Sequence, residues 1–381
     1  MDDAQLKAVL AQASRLSVTG EFGQARALCQ LVFQHNPGIL GALQTYVSIT
    51  RIAPDDPVLA RLRSFATATH LPNGMQSQIQ FLLGKALDDI GDHEGAFAAF
   101  VAANELAHVP FDSAGQDRLA QAVLQAVAGL APMQLAACTP RMVFVLGMPR
   151  SGSSILSQIL GLHPEITVLG EVTALGQIVK GLDPDYPRFI ATLTKPRLAH
   201  IRAAYLAAIA PQAKGGAILV DKMPENYWLG WLIPMLFPDA LILEPRRPPL
   251  ATCWSCFRND FAQGHGYSTD FPALWAQYQR YLALSDIWRK RAGVNWHILL
   301  LANLVAAPEA TLAPILGALG LEWRAEMGQP EKARGNVQTL SKWQARQKLD
   351  SAIADGWQNY HTRILARWGN MLEPKPQDPG Q

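Results

Sequence analysis

"VFVLGMPRSGSS", Val143 to Ser154, is the stretch on which the reading of this chain turns. An apolar run ends at Gly147, four residues pass, and Gly152-Ser153-Ser154 follows. That is the outline of a strand, a tight glycine turn and a helix start, a local design that offers backbone N–H groups and a helix dipole to an anion. The common nucleotide-binding version, G-x-x-x-x-G-K-[ST], carries a lysine after its second glycine. Here Ser153 stands in that place and Arg150 has entered the loop. The missing lysine argues against a holder of β- and γ-phosphates, so the charge that such a loop needs has to come from elsewhere in the fold.

Working outward, short apolar runs alternate with helical stretches from about residue 141. Strands are expected at 142–147, 217–221, 240–244 and 296–302, and helices at 152–161, 224–236 and 249–262 after the first three. Further helices are expected over about 172–210, 271–291, 308–319 and 351–367. Apolar strands separated by helices imply a parallel sheet covered on both faces, and such sheets bind ligands beyond the carboxyl ends of their strands. The second strand runs into Asp221-Lys222-Met223-Pro224, and the third into Glu244-Pro245-Arg246-Arg247-Pro248. One rim therefore collects Arg150, Lys222 and Arg247. Arg150 offers a planar fork for phosphate or sulfate. Lys222 is a compact charge suited to an oxygen that becomes negative. Arg247, with Ser255 eight residues on, is read as a candidate clamp for a second anion. Taken singly, each is read more simply as a surface charge near a turn; the ordered set favours the anion rim. Asp221 is the one candidate for a Walker-type magnesium ligand, and Lys222 beside it would repel the metal.

Residues 1–138 read as all-helical. Gly20 is followed by Ala25, and Gly91 by Ala96 and Ala103, small residues that let paired helices approach closely. "FLLGKALDDIGDHEGAFAAFVAANEL" resembles a tetratricopeptide hairpin, a repeat of roughly 34 residues, with a plain helical bundle as the alternative. Hydrophobic residues make up 49% of the 381, charged residues 17%, and the net charge is +2. There is ample core material and no global field selecting nucleic acid or an acidic membrane. No run approaches the length of a membrane span, and the acidic start MDDAQLKAVLAQ lacks a secretory core, so the expectation is a cytoplasmic protein. Cys253 and Cys256 form a lone C-x-x-C without a second pair at zinc-ligand spacing, and are read as packing residues rather than a redox or metal site. The Pro-rich tail 373–381 is expected to be disordered.

The ordered motifs, PRSGSS after one strand, DKMP after another and RR-x7-S after a third, resemble the sulfotransferases that use 3′-phosphoadenosine 5′-phosphosulfate. The closest likeness is to the bacterial branch with N-terminal tetratricopeptide repeats, related to the tyrosylprotein sulfotransferases. "GMPRSGSSILSQILGLHPEI", "LGE", "DKMPENYWLGWL", "RRPPLATCWSCF" and "LVAAPEATLAPILGALGLEW" extend the likeness over most of the chain.

The resemblance implies a helical tetratricopeptide-like domain over 1–138, a P-loop-like parallel α/β domain with its sheet sandwiched by helices over 139–372, and the tail beyond. It implies that Arg150, Ser151, Gly152, Ser153 and Ser154 bind the phosphosulfate end of the donor, and Arg247 and Ser255 its 3′-phosphate. Lys222 and Ser341 would stabilise the transfer, and Glu171 would take the acceptor's proton, with His163 the second candidate base. No metal is implied. The acceptor would be a hydroxyl or phenol, a tyrosine of a peptide or protein included, and the repeats would offer a surface for a protein partner. The chain departs from the family pattern at Leu301 and Ala302, where Tyr and Glu are usual, and at Gly356, where a base precedes the late tryptophan. Pro248 and Ala251 likewise replace acidic residues. Each lost charged hydrogen bond would weaken nucleotide binding by roughly 1.5–3 kcal/mol. Two other functions stay open: a degenerate sulfotransferase fold serving as a repeat-mediated protein-binding module, and a P-loop kinase.

Overall fold

Runs of Val, Ile and Leu too apolar to face water on either side form the middle of one parallel sheet. In this computed structural model, which describes residues 1–182, 186–213, 216–261, 265–292, 295–332, 349 and 352–372, the strands are β1 (Arg141–Val145), β2 (Ile166–Gly170), β3 (Ile218–Lys222), β4 (Leu241–Arg246) and β5 (Trp296–Leu300). Their order is β2-β3-β1-β4-β5 and every pairing is parallel. Val143 and Val145 join a core with Leu156, Ile159 and Leu243. Phe144, between them in sequence, packs with its ring centroid 6.1 Å from Tyr205 and 5.7 Å from Phe237. Both faces of the central strand are thus covered, which is why it lacks the polar alternation of a half-exposed strand.

β2 was not expected from the sequence. It is short and its burial is mixed, so neither an apolar run nor a clean alternation marks it. The expected helix at 224–236 is instead a 3-10 turn, Pro224–Leu229, and a single helical turn, Ile233–Leu236. Pro224 and Pro234 each remove a backbone donor, and the chain folds around them in short pieces. The long helix expected over 172–210 is likewise broken, into Ala174–Leu182, a 3-10 turn Arg188–Thr192 and Lys195–Ala213.

The chain divides into two compact units. One comprises Met1–Phe111, Cys253–Gln277 and Asp355–Gln381; the other comprises Asp112–Thr252 and Tyr278–Ala354, and holds the sheet. The first unit is built on helices α1 (Asp3–Thr19), α2 (Phe22–His35), α3 (Leu40–Ser48), α4 (Pro57–Ala66), α5 (Asn73–Asp89) and α6 (His93–Ala107). Asp2 and Gln5 close a reciprocal capping box on α1, and Asp92 caps α6 through the Gly95 N–H. Gly91 (φ +83) turns the chain between α5 and α6. The two helices approach so closely that a Cβ on Gly84 would lie 2.6 Å from the Phe100 ring. Asp88 of α5 accepts hydrogen bonds from Tyr360 and from Arg258 (3.0 Å), which fastens the two later segments of this unit to its helices. Cys253 and Cys256 are buried, reduced thiols in the helix Pro249–Phe257.

The second unit begins with helix α7 (Ser113–Ala128) and includes α8 (Ser153–Leu160) after β1. No helix among the described residues is long and apolar enough to cross a membrane. The tail 373–381 and Ser341 lie outside the described residues.

Candidate active site

The glycine turn is built by conformations that few other residues adopt. Gly147 has φ +137, and its N–H donates to the Pro224 carbonyl at 3.0 Å. Gly152, at φ +112, opens α8. Between them Arg150 holds φ +67, the one non-glycine residue described in the left-handed region. Such a conformation costs energy, of order 1–3 kcal/mol, and is kept where surrounding structure enforces it. The opening amides of a helix have no intrahelical acceptor, so the start of α8 presents donors where the loop turns. Ser151 is 2% exposed, and its Oγ has no hydrogen-bond partner among the described residues. Ser153 is also buried.

Gly152 is fixed from below as well as by its torsion. A Cβ there would lie 2.7 Å from Cδ1 of Leu301, which is itself 1% exposed and cannot swing away. Leu301 therefore packs beneath the loop. Gly152→Ala should lose about 1–3 kcal/mol from overpacking alone, with further strain from the positive φ, and denaturant melts of the purified variant would measure it.

Strand register brings the next residues to the same rim. β3 and β4 flank β1, and Val145 lies opposite Lys222 on one side and Leu243 on the other. Gly170, the last residue of β2, pairs with Asp221. Glu171 therefore emerges beside Lys222, and the two side chains form an ion pair. The pair is asymmetric: the Lys222 side chain is 4% exposed and that of Glu171 44%. Burial pushes the Lys222 pKa down, opposed by the charges of Glu171 and Asp221. A buried ammonium held by a carboxylate that faces water can exchange that partner for an incoming anion.

Asp221 is fully buried. Its Oδ2 accepts from the Tyr205 hydroxyl at 2.7 Å and from Asn226 Nδ2 at 3.3 Å. Oδ1 has no hydrogen-bond partner among the described residues. Burial raises the carboxyl to about 7, while Tyr205, Asn226, Lys222 and the nearby Val172 N–H favour its charged form.

At the end of β4 the two arginines differ. Arg246 is committed to protein: Nε donates to Glu244 at 2.7 Å, and Nη2 reaches Ser285 at 3.1 Å and Asp286 at 3.3 Å. Glu244, fully buried, also accepts from Tyr281, from Ser285 at 2.7 Å and from Trp296 Nε1 at 2.7 Å. Arg247 donates to the Ala354 carbonyl at 3.1 Å. Ser255 lies in the helix Pro249–Phe257, in a segment that belongs to the first unit, whereas Arg247 belongs to the second. His163 is buried in the turn after α8, where its Nδ1 accepts from the Glu165 N–H at 3.2 Å.

The second unit thus brings Arg150, Ser151, Gly152, Ser153, Ser154, Lys222 and Glu171 to the carboxyl-end rim, with Arg247 at the neighbouring strand end. Tyr205, Asn226 and the Glu244 network were not foreseen, because their partners are distant in sequence and no local pattern announces them. Among the described residues no group of His, Cys, Asp and Glu could hold a metal ion. A cavity of about 470 Å³ lies away from these residues, between the segment Leu130–Gln134 and Trp231, Met235, Lys195 and Arg291.

Comparison with known proteins bears on this segment. Residues 140–325 match the sulfotransferase family. An uncharacterized protein of Aquifex aeolicus (strain VF5) is 24% identical over 363 residues, covering 91% of this chain and 47% of that one. The chain thus spans about half the length of that curated relative. Among solved structures, the chain is similar to the sulfotransferase domain from the Synechococcus PCC 7002 olefin synthase, at 19% identity and a TM-score of 0.43 over 60% of this chain and 91% of that one. It is similar also to the sulfotransferase STF9 from Mycobacterium avium, at 14% identity and a TM-score of 0.35 over 82% and 96%. The matched residues 140–325 include all five strands and both members of the Lys222–Glu171 pair.

Proposed function

We propose that the chain moves a sulfuryl group from 3′-phosphoadenosine 5′-phosphosulfate to a hydroxyl or phenol. The observation that carries this reading is the ion pair of a buried Lys222 and an exposed Glu171 at the rim where the glycine turn opens α8. The donor set suits the anionic end of such a nucleotide: a buried Ser151 hydroxyl with no hydrogen-bond partner among the described residues, the opening of a helix, and the cations Arg150 and Lys222. The donor supplies an activated sulfuryl group. Arg150 and the loop through Ser154 hold its anionic end. Glu171 takes the proton of the acceptor hydroxyl, and Lys222 stabilises negative charge on the departing oxygen. Arg247 and Ser255 are assigned to the 3′-phosphate, and Ser341 to assisting Lys222. Holding reactants in line contributes the rest of the acceleration.

The test is calorimetry and thermal shift with adenosine 3′,5′-bisphosphate against ATP with Mg²⁺. A ligand at a hundred times its Kd adds about 2.7 kcal/mol of stability, so the bisphosphate should raise the melting temperature by several degrees. Arg150→Ala should erase most of that shift. A shift with ATP–Mg²⁺ and none with the bisphosphate would sink the reading in favour of a kinase.

The hairpins α1–α2 and α5–α6 are assigned to the tetratricopeptide class, and with them a peptide or protein acceptor. Support comes from the turn glycines Gly20 (φ +93) and Gly91 (φ +83) and from the fully buried Ala25, Ala96 and Ala103.

A further inference from the structure

The pairing of β2 with β3 breaks its regularity directly before Glu171. Ile166, Thr167 and Val168 lie opposite Ile218, Leu219 and Val220 in even succession. The next pair is Gly170 with Asp221, so Leu169 and Gly170 together face one residue of β3. This is a β-bulge, an extra residue on one strand that bends it and re-aims the side chains that follow. Such bulges are rare in parallel pairs. Gly170 has φ +80, a left-handed value that favours glycine. A Cβ added there would meet nothing within 4 Å, so torsion rather than space selects glycine at this position.

Side chains alternate between the two faces of a strand, so one extra residue exchanges the faces of everything after it. Ile166 joins the core cluster that holds Val143, Val145, Ile218 and Val220, and Val168 packs against that cluster. Leu156 and Ile159 of α8 cover the same face. Lys222, two residues beyond Val220, points to this face as well. With an unbroken register from Val168 onward, Gly170 would lie opposite Lys222, and Glu171 would turn to the far face. The extra residue instead brings Glu171 beside Lys222 and onto its face, where the two side chains form their ion pair. We infer that the Leu169–Gly170 bulge sets the proton acceptor and the cation of the proposed transfer on one face of the sheet, with Gly170 as a positioning residue. The inference deepens the sulfotransferase reading and rests on it for the roles of Glu171 and Lys222. Gly170 touches no reacting atom; it acts through Glu171.

Two variants test this: Gly170→Val, and the same substitution combined with deletion of Leu169. Valine is disfavoured at φ +80 and prefers extended backbone, so it should flatten the bulge and turn Glu171 away from Lys222. Deleting Leu169 from that variant leaves one residue opposite Asp221 and returns Glu171 to Lys222 on a regular strand. A carbodiimide, which joins a carboxylate and an amine in contact as an amide, reads the pair without substrate, and peptide mass spectrometry maps the Glu171–Lys222 link. The link should form in the unaltered chain, be lost in Gly170→Val and return in the deletion variant. In parallel, kcat should fall by about 10²-fold or more in Gly170→Val, the contribution of a well-placed general base. The KM for the donor should change little, because the loop that holds it is untouched. Deletion of Leu169 should recover much of the lost kcat.

A purely structural role gives the opposite order, since Leu169 is buried and its removal would add to the damage. A deletion variant with no more link and no more kcat than Gly170→Val therefore overturns the inference. Gly170→Asn guards against misfolding of both. Asparagine tolerates the left-handed region and the space beside Gly170 is open, so the link should persist; its loss in a variant with a cooperative melt overturns the inference on its own. Bisphosphate binding by the unaltered chain is scored separately: its absence sinks the sulfotransferase reading, while the cross-link, formed without donor or acceptor, still decides what the bulge positions.

Discussion

Lys222→Met is expected to cut sulfuryl transfer by about 10²–10³-fold, the effect typical of removing one preorganised donor to a developing negative charge, and to leave the fold intact or firmer. The two halves of this prediction come from the same geometry. The Lys222 side chain is 4% exposed, so its ammonium has given up most of its water. Replacing a buried charged pair by an apolar side chain of similar volume is often neutral or stabilising. Glu171, at 44% exposure, stays solvated when its partner goes. Lys222 thus resembles a group kept for chemistry at the expense of stability. Its pKa is lowered by burial from 10.5, so between the lowered value and 10.5 the unfolded chain binds more protons than the folded one. Stability of the unaltered chain should therefore rise with pH through that alkaline window, and in Lys222→Met this contribution should vanish. Chemical denaturation across alkaline pH reads the stability, and single-turnover transfer reads the chemistry. A variant that loses activity and unfolds together would show that Lys222 is structural.

Much of this site is legible in the sequence because its parts are local. The β1 loop announces itself through Gly147 and Gly152, which take φ values of +137 and +112 that side chains resist. The ends of β3 and β4 announce themselves as apolar runs that stop at charged residues. Adjacency of β3, β1 and β4 then converts three sequence-distant cations into one rim. What the sequence conceals is non-local. β2 is a short strand of mixed burial, so Glu171 could be placed by family resemblance but not by strand pattern. Asp221 reads as a weak metal ligand until Tyr205 and Asn226 are seen to close on it. Arg246 and Arg247 are neighbours in the chain, and only the Glu244 cluster separates the arginine that holds the fold from the one assigned to ligand. Likewise, no local pattern says that Cys253–Gln277 and Asp355–Gln381 group with α1–α6; that follows from long-range contacts.

Those later segments carry the second large expectation: Trp254→Ala should destabilise the chain by about 3–5 kcal/mol. Trp254 is 1% exposed and sits at the centre of an aromatic cluster within the first unit. Its ring stacks on Phe97 at 5.3 Å and 18°, lies 4.6 Å from Tyr360, and meets Phe100 edge-on at 5.8 Å. Phe257, one helical turn on, stands 5.9 Å away and leads to the Phe271–Trp368 stack at 4.3 Å. Truncation would empty a site walled by rigid rings, which cannot collapse as aliphatic chains do, so the upper part of the range is expected. Trp254→Phe separates packing from hydrogen bonding. The Nε1 of Trp254 is buried without a partner among the described residues, so phenylalanine forfeits no hydrogen bond and removes an unsatisfied donor. Its cost should stay well below that of alanine. If the two variants cost the same in urea melts, the indole's volume is not what holds this cluster together, and the packing account of Trp254 and of its neighbours Cys253 and Cys256 fails.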